Sequence, residues 1–398
     1  MARNSQRRAW IVFVMVAMAL SLLTIMPRQS AAIEGPEIKI GVLKPYTGWG
    51  AETAQYAEIA MDMALDKINK AGGINGIPIR LIKYDTRSKA EEAILAARRL
   101  LEQDKVLAIM GPELSAEAQV VFPVINRGGV MAVSSMASAP GIAAANRPWA
   151  FRNIMTSEKL LEPALAKFLS KHPEIKNVVI VYDNKDFLSK SEGTKLFPEL
   201  LKPHNIKVVD MVAFHTGDVD YAAQVTKIKN TKHDGIILAA LYYEGGYFVR
   251  ELRRQGVKSP VLAGIGISSP VFMRAGGEAT EGVVNAQGFW TGNPRPEVQE
   301  FVKEFLERAK GKVQVITPPQ YTASNYDSLM ITAKIIKESG VTNRSEDLAK
   351  DRERIRNGWQ NLKDYPGMQG KTSIGADGDA VKDVYIIVVK GGDFVPYE

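Results

Sequence analysis

Residues 38–85 spell one strand–loop–helix–strand unit, and that unit commits the chain to a parallel sheet from its first strand. Ile38-Lys39-Ile40-Gly41-Val42-Leu43 is an apolar strand. The pattern after it carries Ala57, Ala60, Met61, Ala64, Leu65 and Ile68 on one helical stripe and stops at Gly72-Gly73. A second apolar run then returns to Asp85, and two strands joined by a helix pair in parallel. Such sheets bind ligands beyond the carboxyl ends of their strands. The loop at the first of these ends, Lys44-Pro45-Tyr46-Thr47-Gly48-Trp49-Gly50, packs two glycines, a hydroxyl and two aromatics into one turn. It is expected to face a ligand; the competing role of its aromatics is to cap the edge of the core.

Strand and helix patterns alternate through the rest of the chain, which argues for a doubly wound architecture rather than a barrel or an all-helical fold. One series runs to about residue 133, and a second begins with a helix over 158–169. Two sheets are more economical than one, so the chain is expected to be α/β with two doubly wound parallel-sheet lobes joined by a hinge. The extended segment 146–153, with Pro148 and bulky neighbours, suits a crossover, and a second is expected at 282–289. Helices over 297–308 and 320–339 would return to the first lobe, and a strand over 384–389 would complete the second. The expected division is 33–150 with 290–360 for lobe 1 and 151–289 with 361–398 for lobe 2. Two lobes on several extended connections make a hinge, and a hinge implies a cleft that closes; a rigid pair with the same connections is the alternative.

Residues 1–32 read as a signal peptide: Arg3, Arg7 and Arg8 precede an apolar run over 9–26, and Ser30-Ala31-Ala32 supplies a cleavage site. An uncleaved anchor is the competing reading of that run. Cysteine is absent, so there is no disulfide, catalytic thiol or lipid attachment. A soluble periplasmic protein is expected. The formal charge of +7 includes four leader arginines, which leaves about +3 for the mature chain, too little to argue for nucleic acid.

Several other loops fall at strand ends expected to share the cleft. Gly111-Pro112-Glu113-Leu114-Ser115 opens a helix, where Ser115 either meets an anion or serves as a helix cap. Val133-Ser134-Ser135-Met136-Ala137-Ser138 again places hydroxyls just past a strand. From the second series come Asp183-Asn184-Lys185-Asp186-Phe187, Leu241-Tyr242-Tyr243-Glu244-Gly245-Gly246 and Gly264-Ile265-Gly266. Phe187 with Tyr242 and Tyr243 would wall a small-molecule pocket, or the tyrosines would be buried core at a strand end. An enzyme is not expected. The four histidines are scattered without metal-ligand spacing, and no nucleophile elbow, phosphate-binding loop or His-Glu-x-x-His helix is present. No metal and no cofactor are expected.

Ile38 to Val42 followed by Thr47-Gly48, the helix ending Ile68-Asn69-Lys70-Ala71-Gly72-Gly73-Ile74-Asn75-Gly76, and the strand ending at Asp85 resemble the opening of the leucine/isoleucine/valine-type periplasmic binding proteins. Gly111-Pro112 with Ser115, Phe151-Arg152, Gly217-Asp218-Val219-Asp220-Tyr221, Glu281-Gly282-Val283, Tyr326-Asp327 and Gly367-Met368-Gln369-Gly370 follow in the family's order. The resemblance implies a type I solute-binding protein, a monomer without cofactor, that closes on a small carboxylate ligand and docks on an ABC membrane permease. It implies that Ser115 and Ser138 hold the carboxylate with backbone near Met136, and that Trp49, Phe187 and Tyr242 or Tyr243 wall the site. It also marks a departure: Gly266 stands where amino-acid binders carry an acid for the ammonium. Either Glu244 substitutes, or the ligand is an aromatic or other organic acid. A ligand-sensing receptor domain and a secreted hydrolase are the remaining rivals.

Overall fold

The computed structural model describes residues 35–139, 141–313 and 317–398, so the expected signal peptide lies outside the described residues. Aliphatic runs bounded by turn residues form the strands of the first sheet: β1 (Ile38–Lys44), β2 (Ile79–Asp85), β3 (Ala108–Met110), β4 (Met131–Ser134) and β5 (Ala150–Arg152). Their order is β2-β1-β3-β4-β5 and all pair in parallel. The crossovers are α1 (Ala51–Lys70), α2 (Ala90–Arg98) and α3 (Ser115–Gly128). In α1 the stripe Ala57, Ala60, Met61, Ala64 and Ile68 is buried, as the 3.6-residue spacing requires.

The second unit opens with α4 (Ser157–Lys171), β6 (Asn177–Asp183), α5 (Phe187–Ser191), α6 (Phe197–Leu201) and β7 (Lys207–Phe214). It continues through α7 (Ala222–Asn230), β8 (Gly235–Ala239), α8 (Tyr242–Arg254), β9 (Val261–Ala263), α9 (Pro270–Gly276) and β10 (Val284–Gln287). The chain then returns to the first unit. Val298, Phe301 and Phe305 of α10 (Pro296–Ala309), Tyr321 and Leu329 of α11 (Gln320–Glu338), and Ile355 and Trp359 of α12 (Leu348–Gln360) share one apolar core with β1 and α1.

The C-terminal segment departs from expectation. Strands β11 (Tyr365–Gly367), β12 (Gly370–Ile374) and β13 (Ala380–Val381) form a small sheet of their own, and Leu362, Tyr365, Met368 and Ile374 pack on the first unit's core. Of residues 361–398, β14 (Tyr385–Lys390) and β15 (Asp393–Pro396) are the part that joins the second sheet, whose order is β15-β14-β10-β9-β8-β6-β7. Both run antiparallel to their neighbours, so this sheet is not wholly parallel. For β15 the reason is local: a two-residue Gly391-Gly392 turn, both at positive φ, makes a hairpin with β14. The expected boundary at 150/151 also falls inside a strand, because β5 pairs with β4 through Arg152.

Three connections run between the units, after β5, after β10 and after β13. Polar side chains tie them together. Lys382 Nζ donates to Asn153 O at 2.7 Å and to Gln369 Oε1. Asn153 Nδ2 donates to Ser324 O and Ser328 Oγ of α11, and Gly288 N donates to Gln320 Oε1 at 2.8 Å. Burial pulls the Lys382 ammonium well below its ordinary range, against the attraction of Asp327.

The end of β5 carries the strongest of these ties. Arg152, fully buried, forms a bidentate pair with Asp379 through Nε–Oδ1 at 2.5 Å and Nη2–Oδ2 at 2.6 Å. Its Nη1 donates to Ala137 O and Ala139 O, the carbonyls that bracket Ser138. Breaking a buried pair strands the remaining charge, at a cost of about 3–5 kcal/mol. Asp379→Asn is therefore expected to lower unfolding free energy by about that amount in urea titrations with an unchanged denaturant slope; a loss below about 1 kcal/mol, the scale of exposed pairs, would contradict this assignment.

Candidate functional site

The carboxyl ends of the two sheets face each other across a cavity of about 660 Å³, counting the space open at its mouth. Its lining, apolar side chains with a few convergent polar groups, is that of a small-molecule site. The register of β1 with β2 sets Lys44 beside Asp85, so the turn after β1 hangs on the end of β2. Thr47 Oγ1 and N both bind Asp85, at 2.6 and 3.1 Å, and Gly50 N donates to Ser88 Oγ. Trp49, 47% exposed, is held over the cavity mouth.

Below it the two hydroxyl loops converge. Ser134 Oγ donates to Pro112 O at 2.6 Å and accepts from Ala137 N, which locks the 111–115 and 134–139 turns together. Ser115 is the first residue of α3 rather than its cap, because Leu114 holds the cap position and offers no side-chain acceptor. The first N–H groups of α3 thus have no side-chain cap, which leaves a site of positive potential at Ser115 and Ala116. Ser115 Oγ accepts from Ala139 N at 3.4 Å. Ser138, buried, lines the same wall with Met136, and its carbonyl receives N and Oγ of Ser157 at the start of α4.

The second unit supplies the facing wall, and here the sequence reading needs correction. Residues 242–246 are the first turns of α8, not a loop. The Gly245-Gly246 pair suggests a turn, but a Cβ on Gly246 would lie 2.6 Å from Phe272 O, so the glycines let α8 pack against α9. Successive residues then point about 100° apart around the helix. Tyr242 lines the cavity, 4% exposed; Tyr243 and Glu244 do not line it. Glu244 Oε1 instead accepts from Gly217 N at 3.2 Å. Phe187 does not line it either: it begins α5, 36% exposed, while its neighbours Asp186 and Leu188 line the wall. Gly266 lies in the wall, on a 3-10 turn over Ile265–Ile267. A Cβ there would meet Ala240 O at 2.4 Å, so this backbone has no room for an acid.

Tyr243 is engaged in another way. Its hydroxyl donates to Glu52 Oε2 of α1 at 2.5 Å, and Arg274 Nη2 of α9 reaches both groups at 3.0 and 3.1 Å. These contacts join the two units at the rim.

Glu113, Asp186 and Tyr321 stand at the cavity without having been anticipated as site residues. Glu113 is 1% exposed and neither of its oxygens has a hydrogen-bond partner of ordinary geometry among the described residues; burial pushes its carboxyl up to about 7, although the Lys44 ammonium and the neighbouring Asn325 amide pull the other way. The hydroxyls of Tyr242 and of Tyr321 at the start of α11 are also buried without partners among the described residues. Asp186 caps α5 by accepting Ser189 N and Oγ at 2.7 Å, and burial raises its carboxyl. Apolar Leu114, Met136, Ile154, Leu188, Leu241 and Ile265 fill the space between. Among the described residues no Lys, Arg or His lines the cavity, and no cluster of three metal-ligating side chains occurs.

The profile of the periplasmic binding protein family matches residues 37–393. An amino acid binding protein of Pseudomonas aeruginosa is 27% identical over 387 residues, 96% of this chain and 94% of the relative. The Leu/Ile/Val-binding protein BraC3 of Rhizobium johnstonii is 26% identical, over 88% of this chain and 90% of its own. The branched-chain amino acid transporter substrate-binding protein LivJ of Streptococcus pneumoniae, solved in complex with isoleucine, superposes with a TM-score of 0.78 at 26% identity, covering 90% and 97% of the two chains. The two-sheet architecture, the cleft at the strand ends and a profile match over nearly all the described residues agree, and the chain belongs to the periplasmic binding protein family.

Proposed function

We propose that this protein is the periplasmic, solute-binding component of an ABC importer, exported by a cleaved leader over residues 1–32, acting as a monomer that delivers its ligand to a membrane permease. The ligand is a small carboxylate, of the branched-chain or a related amino-acid class. The observation that carries this reading is the uncapped N-terminus of α3 beside two serine hydroxyls in a cavity with several apolar side chains and, among the described residues, no cationic one in its lining. Helix N–H groups and hydroxyls satisfy a carboxylate without a cationic side chain. Leu114, Met136, Leu188, Leu241 and Ile265 would then take an aliphatic side chain.

Closure is a movement of one unit toward the other on three connections, with Glu52, Tyr243 and Arg274 joining the rims when the cleft is shut. No covalent chemistry is required: the ligand is desolvated, held and released.

Ser115→Ala is expected to weaken leucine binding by about ten- to a hundredfold, the loss of a hydrogen bond to a charged group, with the melting temperature of ligand-free protein nearly unchanged. Calorimetric titration reads this directly, and an unchanged affinity would reduce Ser115 to a support for Ala139. Tyr243→Phe should raise the ligand's dissociation rate by about two- to tenfold, since one partly exposed hydrogen bond contributes on the order of 1 kcal/mol. Stopped-flow tryptophan fluorescence would follow it, and an unaltered dissociation rate would show that the rim contact does not hold the closed state.

A further inference from the structure

We infer that Glu113, Tyr242 and Tyr321 form an ammonium subsite that replaces the acid absent at Gly266, so that the cavity selects an α-amino acid over an organic acid of the same shape. The inference rests on the carboxylate reading above and names what the other end of the ligand must carry.

Glu113 comes from the loop before α3, Tyr321 from the start of α11 and Tyr242 from the start of α8, and all three line one cavity. Buried polar groups are almost always paired, so three orphans facing one space call for a common partner. An ammonium has three N–H donors, and a carboxylate with two phenolic oxygens gives it three acceptors. A benzoate or an aliphatic acid offers no donor and would leave all three unpaired, each at a desolvation cost.

The other candidates for the ammonium are excluded by geometry. Gly266 has no room for a side chain, and Glu244 is outside the cavity on Gly217 N. Nor is Glu113 accounted for as a structural counter-ion: the acid within 4 Å of the Lys44 ammonium is Glu58, at 3.8 Å. Asn325 lies alongside with one amide N–H given to Tyr321 O at 2.9 Å, and its pull on the Glu113 carboxyl is weaker than that of Lys44. Asp186 on the opposite wall adds a second negative group, with no cationic side chain in the lining among the described residues.

A pH dependence follows. The groups that act on Glu113 are Lys44 of β1, Tyr46 of the first loop, Glu117 of α3, and Tyr321 and Asn325 of α11. Burial opposes the carboxylate most strongly, while Lys44 and then Asn325 favour it, and the balance lies at about 7. The ammonium requires the charged form and lowers that value on binding. Affinity is therefore full above about pH 7 and falls as the pH drops through it.

The test is calorimetric titration of the full-length mature protein and of Glu113→Gln with leucine and with 4-methylpentanoate, its deaminated analogue, between pH 5.5 and 8. Wild type should prefer leucine by at least about tenfold, since the deaminated acid leaves the subsite unpaired. Glu113→Gln should lose at least about tenfold for leucine, change by less than about threefold for 4-methylpentanoate, and lose the pH dependence. Tyr321→Phe, which keeps every charge, should weaken leucine alone by a smaller factor. If wild type takes 4-methylpentanoate as tightly as leucine, or Glu113→Gln keeps the leucine affinity and its pH profile, the subsite is overturned and the carboxylate reading stands. Binding of neither compound would overturn both.

Discussion

The buried pair of Arg152 with Asp379 is the constraint on which the rest of the arrangement depends. It joins the last strand of the first sheet to the C-terminal segment on its way into the second, across 227 positions of sequence. The same guanidinium donates to the carbonyls of Ala137 and Ala139, so the turn that presents Ser138 is fixed by the group that ties the connections. A charge buried here needs all its partners, because desolvation would otherwise exceed the Coulombic gain. The turn carrying Ser138 and the connections between the units thus share one anchor.

Around that anchor the cleft is built to be incomplete. Its serines and the start of α3 form a place for an anion, while Glu113, Tyr242 and Tyr321 remain buried without partners among the described residues. Unpaired polar groups in a closed cavity cost free energy, and on the proposed reading the ligand removes that cost as it shuts the cleft. The rim contact of Glu52 with Tyr243 and Arg274 joins the two units directly. Its members are partly exposed, which keeps it weak enough to open for release.

Much of this was legible in the sequence, for reasons that are local. The apolar stripe of α1 and the turn at Trp49 follow from periodicity and turn chemistry, and strand ends in a parallel sheet direct Ser115, Met136 and Ser138 to one side. Tyr242 and Gly266 also line the cavity as expected. Phe187, Tyr243 and Glu244 do not, and the cause at residues 242–246 is tertiary: close packing on α9 overrides the poor helix propensity of two glycines, and the resulting helix turns its second and third residues away. The return of the helix over 320–339 to the first unit was expected, but no local pattern marks Tyr321 at its start as a cavity residue. Glu113 left a trace, an acid between an apolar strand and a helix start, but solvent exposure is the usual fate of such a residue. The C-terminal hairpin was missed because a strand's direction depends on its connection, and that segment shows no helix to signal one.

What the account claims at its centre is an orientation: carboxylate toward Ser115 and Ser138, ammonium toward Glu113, side chain among Leu188, Leu241 and Ile265. A crystal structure grown with saturating leucine measures that orientation in one experiment. The account predicts density between the two units, with carboxylate oxygens within about 3 Å of Ser115 Oγ or the first N–H groups of α3, and the amino nitrogen within the same reach of Glu113. Density for leucine outside the cleft, or with its carboxylate turned to the far wall and its nitrogen away from Glu113, would contradict it.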